Sequence, residues 1–590
     1  MNINRVIGYI ERKKRKLDDI YFIKKNHLLQ DVCGVEIDEE YLHSYKVNID
    51  KLFCNSSESN RKDVNDILQG YFNILGLKVK LTNSNFWNKD FHSGYIFDNK
   101  IYPMMKIREN QGYDVIIPWE LSKFQFISIL IKYYTECEDE RIIDYCFEKV
   151  VDWYEDNKVG YGVNWISAMD SSLRAFNLVL LLSFLQGERK KVLVDIIYEH
   201  YRYLKRYVCK KKVGSKKHNH YLFELVGLYL LSKLFRDKEY IDISCENIST
   251  EFNRQFLSEG VNFEGATNYH VLALELGLFY LLISNEYKCR ELYDTLVKAI
   301  EFTSLYMKII GESPGFGDSC DSRVIVSEDY FRSGNKDHTY ISNYVKALDL
   351  QVINDCSKVD FNGFWLFDKK YGLMVNGFEE HYNESGHQHS DKMSFVLSYL
   401  GKMVIIDSGT YCYTPNLSMR NKYRSYHSHN LCTHTDINQI LFDEKYTFSK
   451  LCSYTLKSNY CSAKDECTLN MARFHDGSLE CKRKFDIYYD ELKITDIFEV
   501  VNSEDTAKVV FHFSSDFEID LLDSNKIKLS SSDMDNYIIV KPENDYVKSI
   551  KVEMVNTSST YMKEQKSNKV TFVVDVVKGM NEITTVLSFF

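Results

Sequence analysis

Apolar residues recur at helical spacing through most of the first 350 residues. An apolar position at every third or fourth residue forms a stripe along one face of a helix. Roughly ten such blocks follow one another with short polar connectors and no strand pattern between them. Successive amphipathic helices must bury their stripes against each other, which favours a ring or superhelix of helical hairpins. The clearest blocks are Phe124–Tyr134, Arg141–Tyr154, Ser172–Leu185, Lys191–Val208, Tyr221–Phe235, Ile248–Phe256, Tyr269–Ile283 and Cys289–Ile309.

After residue 360 the period changes from helical to two, and the residues become β-branched and aromatic. Alternation of this kind, interrupted by polar turn clusters, predicts an antiparallel β-sandwich. The predicted strand regions are Phe364–Phe378, Ser394–Asp407, Lys482–Val501, Lys508–Phe513, Asn536–Lys541, Ser549–Val555, Lys569–Val576 and Glu582–Phe589. The chain is therefore expected to divide into a helical and irregular lead-in at 1–110, a helical domain at 111–350 and a β domain at 360–590.

Composition limits the class of protein. The 590 residues are 44% hydrophobic and 14% aromatic, which is enough to build cores and excludes a mostly disordered chain. The net charge of −10, with no long basic tract, argues against a nucleic-acid partner, although a local cationic groove stays compatible with it. No apolar run predicts a membrane span, and the state of association is left open between a single chain and a homo-oligomer.

The cysteines bear on the compartment. There are fifteen, an odd number, and no pair has CxxC spacing, which favours reduced thiols over a disulfide framework. The first residues carry no apolar signal region. A cytoplasmic location is expected, and a periplasmic or secreted one would follow if a signal had been removed.

Histidines concentrate in one short region of the β half. Six of the sixteen lie between residues 381 and 434: His381, His387, His389, His427, His429 and His434. On an extended segment, His387 and His389 project to the same side. Together with Asp407 and His429 they offer the ligand types of a divalent metal, with zinc the default for imidazole. The alternative is a set of ordinary surface or hydrogen-bonded histidines.

The helical half has a second concentration of polar residues, just before two apolar helices. His218, Asn219 and His220 precede one helix, and the segment from Glu264 to His270 leads into another. Helix capping explains Asn219 or Thr267 but not Tyr269 with its neighbouring histidines. Such N-terminal loops gather at the mouth of a helical ring, so a shared cleft is the competing interpretation.

Three further features permit two interpretations each. Arg174, which follows Asn164, Trp165 and Asp170, either forms a buried ion pair with Asp170 or presents its charge to a bound anion. The stretch from Gly315 to Asp318 is either a glycine-rich turn or a cleft loop. Arg420, Lys422 and Arg424 form a positive cluster beside the histidines.

Motifs of several other enzyme classes are missing from the sequence. No P-loop, HExxH or GxGxxG occurs, so NTPase, zincin and Rossmann functions have no support. A glycoside hydrolase stays open, because the separation of paired carboxylates is not readable from sequence.

Eight motifs occur in an order that resembles heparinase II/III-type polysaccharide lyases, over roughly residues 110–590. They are Pro118–Gln125, Gly162–Trp165, Asn219-His220, Phe263–His270, Gly317-Asp318, Gly386–Asp391, Asp407–Tyr411, and Arg424-Ser425 with His429-Asn430. The resemblance implies an incomplete (α/α) toroid followed by an antiparallel β-sandwich, in agreement with the change of period.

The resemblance also implies a reaction, β-elimination at a uronic acid of an anionic polysaccharide. Asn219 would neutralise the substrate carboxylate, and Tyr269 would act as acid and, for one uronate epimer, also as base. His387 would be the base for the other epimer. His389, Asp407 and His429 match the ligands of a structural metal in some family members.

The expected substrate-binding residues surround that set: Asn164, Trp165, Arg174, His218, His220, Glu264, His270 and Arg424. Which of His218, Asn219 and His220 faces the substrate stays open, because the commoner family order is Asn-Asn-His. Two other functions remain beside the lyase. One is an altered family member that binds or processes a bacterial surface polysaccharide without turnover, and the other is a toroid-type glycoside hydrolase.

Overall fold

The computed structural model covers the whole chain. It describes residues 14, 16–24, 34–56, 58–81, 86–107, 110–209, 219–284, 290–319, 321–332, 334, 336–352, 357–378, 386–433, 454–463, 466–475, 478–501, 505–532, 534–543 and 547–590.

The first part of the chain is helical. Its helices are α1 (Glu39–Cys54), α2 (Arg61–Leu68), α3 (Ile116–Leu121), α4 (Gln125–Cys137), α5 (Glu140–Asp156), α6 (Ala168–Leu182), α7 (Gly187–Cys209), α8 (Asn219–Leu234), α9 (Lys238–Gln255), α10 (Thr267–Ser284), α11 (Arg290–Ile310) and α12 (Ile341–Ala347). A two-stranded hairpin, β1 (Tyr71–Ile74) with β2 (Leu77–Lys80), follows α2.

Wholly buried helices alternate with helices that bury one stripe. Every residue of α6 and α10 is buried, and both helices are apolar around most of their circumference. By contrast, α5 and α9 bury one face and leave charged residues in water. A helix that is apolar all round must be enclosed by others, so α6, α8 and α10 form the inner layer of a double-layered ring. This is the arrangement of an incomplete (α/α) toroid.

Helix α1 lies against the inner helices rather than outside the ring. The Tyr45 hydroxyl donates a hydrogen bond to the Phe176 carbonyl at 2.9 Å, and its ring meets Phe279 edge to face. Residues of α1, α2 and the hairpin share one hydrophobic core with the later helices. The segment predicted as a lead-in at 1–110 therefore contributes, from α1 onward, to the same packed unit as 111–350.

The second part of the chain is built from antiparallel strands, with α13 (Leu417–Arg424) between them. The strands are β3 (Asp360–Phe361), β4 (Phe364–Asp368), β5 (Tyr371–Asn376), β6 (Phe395–Tyr399), β7 (Lys402–Ile405), β8 (Cys432–Thr433), β9 (Tyr454–Ala463), β10 (Glu466–His475), β11 (Ser478–Ile487), β12 (Glu491–Val500), β13 (Asp505–Phe513), β14 (Glu518–Asp523), β15 (Lys526–Ser530), β16 (Tyr537–Pro542), β17 (Val547–Thr560), β18 (Lys563–Val576) and β19 (Gly579–Phe589).

Two sheets face each other across the second core. One has the order β17-β18-β13-β7-β6-β5-β4-β3, with β8 paired to β13, and the other β14-β15-β16-β19-β12-β11-β10-β9. Phe395 of the first sheet meets Phe485 of the second edge to face, at 5.8 Å between ring centroids. Buried Arg483 donates to Asp496 and to the Met393 and Asn430 carbonyls, so its charge is paired inside the sandwich.

The two parts of the chain are packed together. The Ser398 hydroxyl on β6 donates to the Ile309 carbonyl on α11 at 2.8 Å, and Phe302 of α11 stacks on Phe364 of β4. Helix α11 thus covers the outer face of the β3–β7 strands. Loops that follow the helices and loops that leave this sheet meet along the same junction.

The predicted fold class is confirmed: helices form the first part and antiparallel sheets the second. The pattern missed the hairpin β1–β2 and the strands β3, β8, β9, β10, β14 and β15. In β9 the side chains are mostly exposed, and the apolar alternation that marks a half-buried strand is weak there. Among the described residues, no helix is long and apolar enough to cross a membrane.

Candidate active site

Five segments meet at the junction between the two parts of the chain. They are the first turns of α8 and α10, and the loops at 313–319, 386–391 and 407–413. Backbone hydrogen bonds tie them together: Thr267 N–H donates to the Phe316 carbonyl at 3.0 Å, and Asp318 N–H to the His387 carbonyl at 2.8 Å. Gly317 has φ +71°, and an added Cβ would lie 2.8 Å from the His387 carbonyl. This close approach of loops needs glycine.

Tyr269 and His387 are in direct contact. Their rings stack with centroids 3.7 Å apart and planes inclined by 19°. The Tyr269 hydroxyl is 3.0 Å from the Tyr413 hydroxyl, which itself donates to the Ser319 carbonyl at 2.8 Å. Since Tyr413 has one hydroxyl hydrogen and Ser319 accepts it, Tyr269 is the donor in the bond between the two tyrosines.

Asp318 lies at the centre of the charged groups. His387 Nδ1 and His389 Nε2 are each 3.0 Å from its carboxylate oxygens, and Arg420 donates to it at 2.7 Å. Burial raises the pKa of this carboxyl, but Arg420 and the two histidines outweigh burial and hold it well below its usual range. An ionised carboxylate only accepts, so His387 donates from Nδ1 and keeps Nε2 for another partner.

His389, Asp407 and His429 lie close enough to share one metal ion. One ligand atom from each falls within 4.8 Å of the others. His429 Nδ1 is 2.8 Å from Asp407, and this carboxylate raises the pKa of His429 against the lowering effect of burial. Among the described residues, neither His389 Nδ1 nor His429 Nε2 has a hydrogen-bond partner, although both are buried. Buried nitrogens without partners, beside a carboxylate, fit a divalent cation such as zinc.

Asn219 is the first residue of α8 and is buried. Neither polar atom of its side chain has a hydrogen-bond partner within the described part of the chain. The buried carboxyl of Glu264 lies near the Asn219 backbone N–H and near His387. Burial raises the pKa of Glu264, and His387 and that N–H oppose the increase. A buried amide with unused donors at a helix N-terminus is suited to bind an anionic group.

The end of the β17–β18 hairpin also reaches this junction. The Tyr561 hydroxyl donates to Asp114 at 2.5 Å and accepts from the Tyr413 backbone N–H at 3.0 Å. Thr414 donates to the same Asp114 carboxyl at 3.2 Å. Tyr561 therefore contacts Tyr413 directly, and Asp114 of the helical part holds both Tyr561 and the neighbouring Thr414.

Three residues predicted to bind substrate have other contacts. Arg174 is fully buried, donates to His200 at 2.9 Å and to the Asn164 carbonyl at 3.1 Å, and stacks on Trp153. The Asn164 amide donates to the Trp87 carbonyl, and the Trp165 indole to the Asn157 carbonyl. These contacts place all three within the helical packing, and their role in substrate binding stays a prediction.

The alternative interpretation of Arg174, a direct ion pair with Asp170, is not formed by these two described residues either. Asp170 is instead 3.3 Å from Lys123. A buried guanidinium can satisfy its donors with carbonyls and an imidazole, so it does not need the carboxylate one turn away.

The remaining predicted binding residues differ among themselves. His270 accepts from the Asn262 N–H, contacts Thr303 and is held neutral, because burial lowers its pKa to about 3. These contacts are within the helical core, and a role of His270 in substrate binding stays a prediction. Arg424 is buried on α13 and donates to Asn421. His220 is exposed at the start of α8, and His218, with His381 and His434, lies outside the described residues.

Sequence reasoning assigned no role to three residues that the structure places in the site: Asp318, Tyr413 and Arg420. Asp318 appeared in a glycine-rich motif and Arg420 in a positive cluster, but neither pattern indicates a shared carboxylate. Tyr413 lies two residues after the motif Asp407–Tyr411, and this position in the sequence is the feature that could have identified it as a site residue.

Comparisons with known proteins agree with this architecture. Residues 40–336, half of the chain, match the model of the heparinase II/III N-terminus, and residues 377–586 match the heparinase II/III-like C-terminal model. No curated protein matches the sequence.

Two solved structures illustrate the shared fold. A structure of heparinase III superposes with a TM-score of 0.62 and 14% identity, over 99% of this chain and 91% of that one. A mutant of heparan sulfate lyase HepC from Pedobacter heparinus superposes with a TM-score of 0.59 and 16% identity, over 93% and 88%. With both halves matched in order, the chain belongs to the heparinase II/III family of polysaccharide lyases.

Proposed function

We propose that this polysaccharide lyase cleaves an anionic, uronate-containing polysaccharide by β-elimination. The observation that supports it best is the stacked pair of Tyr269 and His387. Asn219, whose buried amide has no hydrogen-bond partner among the described residues, adds to it, since Glu264 lies near both His387 and the Asn219 backbone. A base removes the C5 proton of the uronate, the electron pair forms the C4–C5 double bond, and the C4–O4 bond breaks. An acid gives a proton to the departing O4, so no water is consumed.

The hydrogen bonds favour His387 as base and Tyr269 as acid. His387 donates from Nδ1 to Asp318, which leaves Nε2 able to accept a proton. Tyr269 carries its hydroxyl hydrogen in the bond to Tyr413 and can therefore supply it. If the substrate epimer presents its C5 proton on the other face, Tyr269 would serve as both base and acid. Tyr413 would then turn its hydroxyl hydrogen from the Ser319 carbonyl to the Tyr269 oxyanion and stabilise it.

The C5 proton is weakly acidic because the neighbouring carboxylate is already negative. The reaction needs donors that stabilise the additional charge as it develops on that carboxylate. Asn219 supplies an amide donor that no described residue uses, at the N-terminus of α8, where the helix dipole is positive. Arg424 and the exposed His220 are proposed to contact other anionic groups of the polymer.

We also propose that His389, Asp407 and His429 hold a divalent metal, with zinc favoured by the two imidazoles. When bound, the metal would supply a fixed link between the 386–391 loop and the loops after β7 and α13. The acid and base steps are assigned to protein side chains.

The test is incubation of the protein with glycosaminoglycans, alginates and bacterial capsular polymers while ultraviolet absorbance is followed. A lyase releases unsaturated uronate, which absorbs. A glycoside hydrolase would release reducing ends without absorbance, and a binding protein would release neither. Absence of the chromophore with every uronate polymer, from folded protein, would refute the proposal.

Site variants then test the roles. Tyr269→Phe and His387→Ala are each expected to lower kcat by about 10²–10⁴-fold, the usual contribution of a general acid or base. Tyr280→Phe removes a hydroxyl from the same helix outside the site and serves as the matched control. Asn219→Asp adds a negative charge opposite the substrate carboxylate and should lower kcat/KM more than Asn219→Ala does. Elemental analysis of wild type beside His389→Ala tests the metal.

A further inference from the structure

The Asp318 carboxylate contacts both the proposed base and a proposed metal ligand. Its Oδ2 accepts from His387 Nδ1 and from Arg420, and its Oδ1 accepts from His389 Nε2. The carboxylate is 1% exposed, so water does not compete for these bonds. Two oxygens offer about four acceptor positions, which is enough for three donors at once.

The bond to His389 determines which nitrogen of that ring faces the metal site. Because Nε2 donates to Asp318, the buried Nδ1 is the nitrogen that lacks a partner among the described residues and that can bind a cation. Metal-binding histidines commonly donate their second N–H to a carboxylate, which fixes the ring and strengthens the ligand. Asp318 has the position of that carboxylate.

The bond to His387 has the same effect on the other ring. It fixes the hydrogen on Nδ1, directs Nε2 away from Asp318, and holds the imidazole where it stacks on Tyr269. Arg420 keeps the carboxylate in place and also donates to the Gly386 carbonyl at 3.2 Å, at the start of the same loop.

We propose that Asp318 is a positioning residue that orients the base His387 and the metal ligand His389 through one carboxylate, so that metal binding and placement of the base depend on each other. This inference rests on the proposed function for the roles of the two histidines. Asp318 acts through them and contacts neither the polymer nor the metal.

Asp318→Asn is the decisive substitution. The amide has the shape of the carboxylate but one acceptor atom, so at least one of the two histidines loses its acceptor and faces an N–H₂ group instead. We expect the zinc dissociation constant, measured by competition with a chromophoric chelator, to rise by about 10–100-fold, as for other outer partners of metal ligands.

Measurements of activity separate the effect of Asp318 on the base His387 from its effect on the metal ligand His389. His389→Ala removes the metal ligand but leaves the bond between Asp318 and His387. With both variants stripped of metal, Asp318→Asn should have a kcat about 10–100-fold below that of His389→Ala, with a similar KM. Equal kcat values would show that Asp318 serves only the metal, and unchanged zinc affinity would show that it serves only the base. Either result overturns the proposal.

Glu275→Gln is the matched control for loss of a buried carboxylate. Glu275 accepts four hydrogen bonds in the helical domain and contacts none of the site histidines. Its variant should be less stable and bind zinc as wild type does. If it weakened zinc binding as much as Asp318→Asn, loss of stability would explain both and the proposal would fail.

Wild-type protein gives an independent measurement if Asp318→Asn does not fold. Long-range ¹H–¹⁵N spectra of histidine-labelled protein report which ring nitrogen carries hydrogen. We expect hydrogen on Nδ1 of His387 and on Nε2 of His389, assigned with His387→Gln and His389→Ala. Hydrogen on Nε2 alone of His387 would refute the inference. Zinc affinity and these spectra require no substrate, so failure to find lyase activity would refute the proposed function and leave this test valid.

Discussion

Gly317→Ala perturbs the junction at one defined place. Gly317 has φ +71°, and a Cβ there would lie 2.7 Å from the Ala266 Cβ and 2.8 Å from the His387 carbonyl oxygen. Both neighbours are backbone or attached directly to it, so no side-chain rotation relieves the contact. To reach ordinary contact at 3.4 Å, the His387 loop or the first turn of α10 must move.

Two costs follow from this geometry. A non-glycine residue in the left-handed region costs about 1–2 kcal/mol, and the overpacking adds about 1–3 kcal/mol. The movement also separates His387 from Tyr269, and misplacement of a reacting group by about 1 Å can lower the rate by about 10²-fold. We expect a lower melting temperature and a kcat reduced by about 10–100-fold.

Gly315→Ala is the matched control. Gly315 lies two residues away with φ +74°, but its added Cβ would meet only the Asp407 Cβ, at 3.7 Å. The backbone cost is the same and the overpacking is absent. Gly317→Ala should therefore have a lower melting temperature than Gly315→Ala when melting is followed by fluorescence. It should also have a lower kcat in the ultraviolet assay. Equal stability and equal kcat for the two variants would refute the reasoning.

Three further predictions concern buried charges of the helical domain. Glu275→Gln should lower the free energy of unfolding by about 1–3 kcal/mol, because buried donors lose a charged acceptor, and thermal melting measures this. Burial, opposed by the Tyr561 hydrogen bond, raises the pKa of Asp114 to about 6, so the folded state binds the extra proton between the unfolded value of 3.8 and 6. Wild-type stability should therefore lose about 2 kcal/mol from this group as pH rises from 4 to 6, and Asp114→Asn should lose less. Arg174→Lys should lower the melting temperature by removing the bond to His200, while polymer KM stays unchanged; a raised KM would restore its predicted role in binding.

The sequence predicted the helices well because burial there has a regular period. The block Tyr269–Ile283 became α10, Thr267–Ser284, and Tyr221–Phe235 became α8, Asn219–Leu234. Strands that expose most side chains carry no such period, and β9 was missed for that reason. Packing of α1 inside the ring was missed because a stripe of apolar residues does not indicate which helix it will contact.

For the site, too, features that leave a pattern in the sequence were predicted, and features that depend on how distant segments pack were missed. The grouping of Tyr269 with His387 came from motif order, and the structure brings the two rings into contact. Asp318 was named without a role, since its two bonds span 69 and 71 residues and depend on how separate loops meet. Arg174 stood out as a charge on an apolar helix, but buried acceptors from distant segments explain it.

The contact of Tyr561 with Tyr413 has a consequence for synthesis. The two residues are 148 positions apart, and a ribosome adding about 5–20 residues per second needs roughly 7–30 s to cover that distance. Throughout that interval the nascent chain already holds Tyr269, His387 and Tyr413, but the hairpin that fixes Tyr413 has not been made. Completion of the site therefore waits for the β17–β18 hairpin, and messenger truncated before β17 would yield a chain with every proposed catalytic side chain and an unfinished site.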